Sequence, residues 1–271
     1  MPGKICGSVL LILGLFASVL ANQDAQQKEF DEVMREGKAA FARNDMPKAI
    51  EWFARAASMN PDREAAYRYW GESLMKQGRM TEAGDKFVEA YIAEPYSRLA
   101  RVGFLNWGKK FNIPLAHPEI EIPTNVTPNG ESTTGNTSIT IDPNAFKKDD
   151  KTGSAWMIYG FIRAAWVQTE FAKNYPDEKK YRHSLKEEAE AMRSAIKVVQ
   201  EQKIKDPAKI DPSLLLIMKL DKEGLLEPFI LLALPDEGIV QDYIGYRKTH
   251  LENLRRYVKD YVLTGGAGPK N

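Results

Sequence analysis

Few side chains in this sequence are both able to do acid, base or metal chemistry and spaced to do it together. His117, Glu119 and Glu121 alternate, so an extended strand would project all three from one face. With Asp142 from a partner strand they could hold a divalent cation. The same alternation also describes the wet face of a plain hairpin, and Pro118 spoils a regular strand at the first ligand. We therefore expect no metal there. The other two histidines, His183 and His250, lie in charge-rich stretches with helical spacing, where surface or satisfied core histidines outnumber bases. Asp149-Asp150 and Glu187-Glu188 are adjacent in sequence. Helix neighbours diverge by about 100°, so neither pair is expected to face one reacting atom. No Gly-Lys-Ser/Thr phosphate loop, nucleophile elbow, paired histidine motif or catalytic cysteine occurs. The expectation is a protein without catalytic residues or cofactors. A hydrolase built on scattered Asp and Glu is the alternative.

The composition narrows what could position such residues. The 271 residues carry 38 Lys and Arg against 37 Asp and Glu, with 43% apolar residues and one cysteine. That length supports one large domain or two modest ones with a real core. A net charge of +1 gives no basic surplus for nucleic acid, and we expect no such partner. One cysteine excludes a disulfide framework or a cysteine-rich metal site within one chain.

Residues 1–21 read as an export signal. Lys4 starts it, residues 9–20 form its apolar stretch, and Val19 and Ala21 are the small or moderate residues that suit cleavage after Ala21. Cleavage would remove Lys4 and Cys6 together, leaving 37 basic against 37 acidic residues and no thiol. The expected location is the periplasm or the secreted space, with no membrane span after cleavage.

Residues 30–95 repeat with a period of 34. Gly37 pairs with Gly71, Ala49 with Ala83, Phe53 with Phe87, Ala56 with Ala90 and Pro61 with Pro95. Polar turns at Asn44-Asp45 and Gln77-Gly78 split each unit into two helices, and the prolines close the second. Together with Tyr67, Trp70, Leu74 and Gly78 in the second unit, these positions resemble the tetratricopeptide repeats. The first unit departs from the pattern at Glu36 and Ala40. The resemblance covers about a quarter of the chain and implies a concave surface, made by the first helix of each repeat, that holds a peptide or protein partner. Mapped here, its lining is Met34, Lys38 and Phe41 from one unit and Arg68, Glu72, Met75 and Lys76 from the next. The family's Lys/Arg and Asn arrangement for a C-terminal carboxylate is missing, because Lys38 and Glu72 stand where the Asn would be. The competing reading covers this face with the chain's own C-terminal region. Two repeats need a cap, and residues 97–111 supply a helix with an expected apolar stripe of Leu99, Val102, Leu105 and Phe111.

Residues 112–153 lose helical periodicity. Glu119-Ile120-Glu121-Ile122-Pro123 and Thr137-Ser138-Ile139-Thr140-Ile141-Asp142 alternate apolar and polar residues, which predicts a hairpin with its tip near residues 127–136. Asn125-Val126-Thr127 and Asn136-Thr137-Ser138 match the N-glycosylation pattern, which matters only in a eukaryotic secretory pathway. Residues 154–264 are helical again. Residues 154–175 are apolar nearly all round, with Trp156, Phe161, Trp166 and Phe171 expected in the core. A second helix carries Tyr181, Leu185, Ala189, Met192, Ile196 and Val199. Asp211-Pro212 starts a short helix. A last helix over residues 236–263 buries Val240, Ile244, Leu251, Leu254, Val258 and Tyr261, and residues 265–271 form a flexible tail.

The sequence thus predicts a mainly α protein: a signal (1–21), a repeat module with its cap (22–111), a hairpin segment (112–153), a helical region (154–264) and a tail. The expected function is a non-catalytic scaffold or adaptor mediating protein–protein contact. The alternative is a hydrolase or a small-ligand or metal-binding protein with its site between the hairpin and the C-terminal helices. Self-association through the repeats is a third reading.

Overall fold

The computed structural model describes residues 6–129, 136–146 and 152–269, with side chains from residue 23 onward except that of residue 145. The chain is mainly α with one two-stranded antiparallel hairpin, and it divides into two compact units, Met1–Asn112 and Ile113–Asn271. Among the described residues no helix is long and apolar enough to cross a membrane. Residues 1–5 of the expected signal, the hairpin tip at 130–135 and the pair Asp149-Asp150 lie outside the described residues.

In the first unit, α1 (Cys6–Ala42), α2 (Met46–Met59), α3 (Glu64–Lys76), α4 (Met80–Ala93) and α5 (Arg98–Lys110) each pack on the next. Asp45 accepts from the Lys48 amide at the start of α2, where Pro47 fits the first turn. The 34-residue period is a period of contacts. A Cβ placed on Gly37 would lie 2.6 Å from the Phe53 ring, and one on Gly71 would lie 3.0 Å from the Phe87 ring. Each glycine lets the phenylalanine of its partner helix press on the backbone. Both rings, and Ala49, Ala56, Ala83 and Ala90 beside them, are fully buried.

Helix α5 closes the unit with a face that the sequence does not predict. Ala100, Phe104, Trp107 and Gly108 are buried, while of the expected stripe Leu99, Val102 and Leu105 are exposed and Phe111 is half-buried. Gly84 explains the turn of the helix. Its missing Cβ, which would sit 2.2 Å from Trp107, admits that indole against α4, where Nε1 donates to the Met80 carbonyl at 3.2 Å. Trp107 buries far more area than a leucine, so its side of the helix goes inward.

In the second unit, β1 (Thr124–Pro128) pairs with β2 (Thr137–Ile141), Thr124 opposite Ile141 and Val126 opposite Ile139. The first strand therefore starts after Pro123, where the alternation of residues 119–123 was expected to place it earlier. Residues 119–123 are held differently: the Glu121 amide donates to Ser213 Oγ at 2.9 Å. The proline at 123 has no N–H for a ladder, and its carbonyl accepts from the Asp142 amide at the ladder's end.

The hairpin lies on α6 (Gly153–Ala165), where Thr124 Oγ1 donates to the Trp156 carbonyl and Gly160 leaves room for the Thr124 methyl. A π-helical turn, Trp166–Glu170, links α6 to α7 (Phe171–Asn174). Then follow α8 (Leu185–Glu201), α9 (Pro212–Lys222), α10 (Leu226–Ala233) and α11 (Tyr243–Asp260). Asp211 caps α9 through the Ser213 and Leu214 amides, as its sequence predicts, and also accepts from Trp156 Nε1.

Three expectations fail in this unit. Phe161 and Ile244 are exposed, at 52% and 66%. The last helix begins at Tyr243 rather than near residue 236 and breaks at His250, whose φ of −128° and ψ of 32° are not helical. Gly265, Gly266 and Gly268, expected in a loose tail, turn back with positive φ onto Pro114, His117 and Tyr261.

Candidate functional site

The side chains expected to line the repeat groove gather in two places on α1 and α3. Lys38 and Arg68 both lie over the ring of Tyr69, at 5.4 and 4.6 Å, and Lys76 lies 3.9 Å from the centre of Phe41. Arg68 donates to Glu64 at 2.9 Å and to Glu72 at 3.1 Å, a ladder of residues four apart on one helix. Burial opposes the charge on this guanidinium, yet the two carboxylates hold it above its ordinary pKa. Its charge is thus matched within the chain, and its side chain is only 12% exposed. Met34 is buried and packs in the cluster around Phe30 and Val33, and Met75 is half-buried.

Met34 and Lys38 border a cavity of about 550 Å³ that is completed by Phe30, Arg63, Glu64 and Glu94. The sequence reading missed Tyr69, the ring that joins the two halves of this surface. It also missed Glu64, whose spacing of four from Arg68 and eight from Glu72 was the available signal.

The strongest electrostatics lie in the second unit, on residues expected to be inert. Glu187 and Glu188 are both buried at the start of α8. They converge on one guanidinium: Arg163 Nε lies 3.1 Å from Glu187 and 3.6 Å from Glu188. The divergence of helix neighbours is overcome by two-methylene side chains and by an arginine that reaches in from α6. Tyr159 donates to Glu188 at 2.9 Å and Tyr181 to Glu187 at 2.8 Å.

His183 precedes α8 instead of sitting within a helix. Its Nδ1 is 2.5 Å from Asp236 and its Nε2 is 2.9 Å from Glu188. Burial disfavours the charged ring, but the two carboxylates outweigh it and raise the imidazole to about 9. Asp236 is lowered to about 2 against its own burial by the His183 bond and by the Ile239 and Gly238 amides. Glu188 is lowered by His183 and Arg163 despite complete burial, whereas burial raises Glu187.

Asp236 and His183 form a carboxylate–imidazole pair, but the ring's other nitrogen meets Glu188 rather than a hydroxyl or thiol nucleophile. A general base needs a free ring nitrogen aimed at substrate. Here both nitrogens are engaged by carboxylates and the ring is protonated at neutral pH. The cluster ties the 175–184 segment, the start of α8 and the turn at Asp236 together. Arg182 reinforces it by bonding Glu178, both oxygens of Asp242 and the Gly238 carbonyl.

His117 is likewise committed, its Nδ1 2.9 Å from the Tyr257 hydroxyl, and burial lowers it to about 4. Glu119 and Glu121 are exposed, and no group of three metal-ligating residues forms among the described residues.

A second concavity, about 850 Å³, runs along α8 and the first half of α11. Tyr175, Glu190, Arg193, Tyr246 and His250 border it, with the Tyr246 and His250 rings stacked at 4.4 Å. Arg193 is paired with Asp221 and Glu227, and Glu190 accepts from Trp166 at the π-helical turn. Compared with family models, curated proteins and solved structures, the chain matches none.

Proposed function

We propose that the chain is an exported, non-catalytic scaffold whose first unit is a tetratricopeptide repeat module that holds a polypeptide partner. The observation that carries this reading is the recurrence of one packing contact, Gly37 on Phe53 and Gly71 on Phe87, at the same 34-residue offset. The cavity bordered by Met34, Lys38, Glu64 and Glu94 beside it supports the reading. Arg68 and Glu72 are bonded to each other along α3 rather than reaching for a ligand. Lys38, exposed at the rim, is the better contact residue.

The test places a photoactivatable amino acid at Lys38 and, as a control, at Glu51, an exposed position of α2. Irradiation in the producing cell should give a discrete polypeptide adduct from position 38 and none from 51. Equal adducts from both, or none, would overturn the groove. Export is tested on the same preparation: the exported chain should begin at Asn22.

A small-ligand protein is the second reading. The hairpin does not favour it, since Thr124 and Gly160 close that contact. The concavity beside Tyr246 and His250, with its broken helix, is the observation on its side.

A further inference from the structure

The outer face of α5 combines an exposed apolar row with uncompensated positive charge. Leu99, Val102 and Leu105 stand exposed at 56%, 42% and 54%, one turn apart along the helix. Arg98, Arg101, Lys109 and Lys110 are exposed at its two ends, and the helix holds no acidic residue. In a chain with 38 basic and 37 acidic residues, four cations without a carboxylate on thirteen residues are a local concentration of charge. The inner face is already spent on Ala100, Phe104, Trp107 and Gly108, so the outer apolar residues add nothing to the core of this unit.

We propose that this face lies on an anionic membrane surface, with Leu99, Val102 and Leu105 entering the acyl boundary and the four cations on lipid phosphates. The charge is complementary to such a surface, and long basic side chains at both ends of an apolar row can reach the headgroup level while the row sinks. The shape favours lipid over a protein partner. A single convex row of three side chains offers no groove to select a helix, whereas a fluid bilayer needs none. A second copy of the same face is disfavoured, because an antiparallel pairing would set Arg98 and Arg101 against Lys109 and Lys110. The proposal is independent of the groove on α1 and α3.

The apolar stretch at residues 9–20 could bind vesicles by itself, so the experiment reads position rather than retention. In the full chain carrying Cys6→Ser, an environment-sensitive fluorophore is attached at Leu105→Cys and, separately, at Glu51→Cys. Vesicles of phosphatidylglycerol and phosphatidylcholine should brighten the label at 105 several-fold and leave that at 51 unchanged. Vesicles of phosphatidylcholine alone should affect neither. Each cation near an anionic surface strengthens association roughly fivefold, so Arg98→Gln with Arg101→Gln should raise the lipid concentration for half response roughly 25-fold. Added salt should weaken the response too. An equal response on both lipids, a response at 51 as large as at 105, or no effect of the double substitution overturns the proposal. A label at 105 that responds to a lipid-free acidic protein and not to vesicles also overturns it, in favour of a protein partner.

Discussion

The two units hold helices together by opposite means. The first fits shapes: a glycine on one helix receives a phenylalanine from the next, and the charged ladder of Glu64, Arg68 and Glu72 runs within the single helix α3. The second ties its elements through charge inside the core, where Arg163, Glu187, Glu188 and His183 share bonds with Tyr159, Tyr181 and Asp236. Shape contacts lose free energy gradually as methylenes are added or removed. A buried charge network fails abruptly, because removing one member leaves the others desolvated and unpaired.

The sharpest way to test that difference is to remove one cation from each unit. Arg163→Met leaves Glu187 and Glu188 buried with the histidine as their remaining cation, and should cost about 3 to 5 kcal/mol. Arg68→Met strands one buried carboxylate, Glu64, rather than two, because Glu72 is partly in water, and should cost less. Denaturant unfolding followed by amide hydrogen exchange, which reports each unit separately, should place the larger loss in residues 113–269. Equal losses would remove the distinction.

What could be read from the sequence follows the same division. The repeat was legible because shape packing needs residue types at fixed intervals: Gly37 and Gly71, Ala49 and Ala83, and Phe53 and Phe87 are visible without coordinates. The mainly α class and the cap at Asp211 were legible for the same local reason. The buried cluster was not, because its members lie at positions 159, 163, 181, 183, 187, 188 and 236, and only the fold brings them together. Reading Glu187 and Glu188 as divergent was sound for an isolated helix. It failed because a long arginine from α6 spans both. The face of α5 was misread because three aliphatic residues outnumber one tryptophan in a pattern, whereas Gly84 opposite Trp107 decides which side packs.

The next comparison lies within the repeat itself. Replacing a helical glycine by alanine gains about 1 kcal/mol in helix propensity. Overpacking a buried ring costs about 1 to 3 kcal/mol. At Gly71 the new Cβ would meet Phe87 at 3.0 Å, close enough to be eased by a small shift, so Gly71→Ala should be near neutral. At Gly37 the distance is 2.6 Å to a fully buried ring, and Gly37→Ala should cost about 1 to 2 kcal/mol net. Thermal unfolding of the two variants checks the order. If Gly71→Ala is the worse, the two units of the repeat do not share one packing rule.

A last comparison is a pH dependence confined to the second unit. His183 titrates near 9 in the folded chain and near about 6.5 when unfolded. The folded state therefore binds the proton more tightly, and its contribution is complete below about pH 6.5. It fades as the pH rises through 9, because deprotonation then removes the same interaction that folding had gained. His117 works in the opposite sense. Burial lowers it to about 4, so its contribution is present above about pH 6.5 and is lost as the pH falls through 4.

Tyr159 and Tyr181 are raised by burial and by the adjacent carboxylates, so they stay protonated across this range. Stability of the second unit should peak between the two histidines' windows and fall by on the order of 1 to 2 kcal/mol from pH 6.5 to 9.5. The magnitude is limited because Asp236 is nearly half exposed and its bond to the ring is partly screened. Urea midpoints at stepped pH, read from hydrogen exchange in each unit, give the measurement. His183→Gln should be less stable at pH 6.5 and should flatten the alkaline limb, leaving the first unit's curve unchanged. An alkaline limb that survives in His183→Gln would show that the charge on this ring does not brace the second unit.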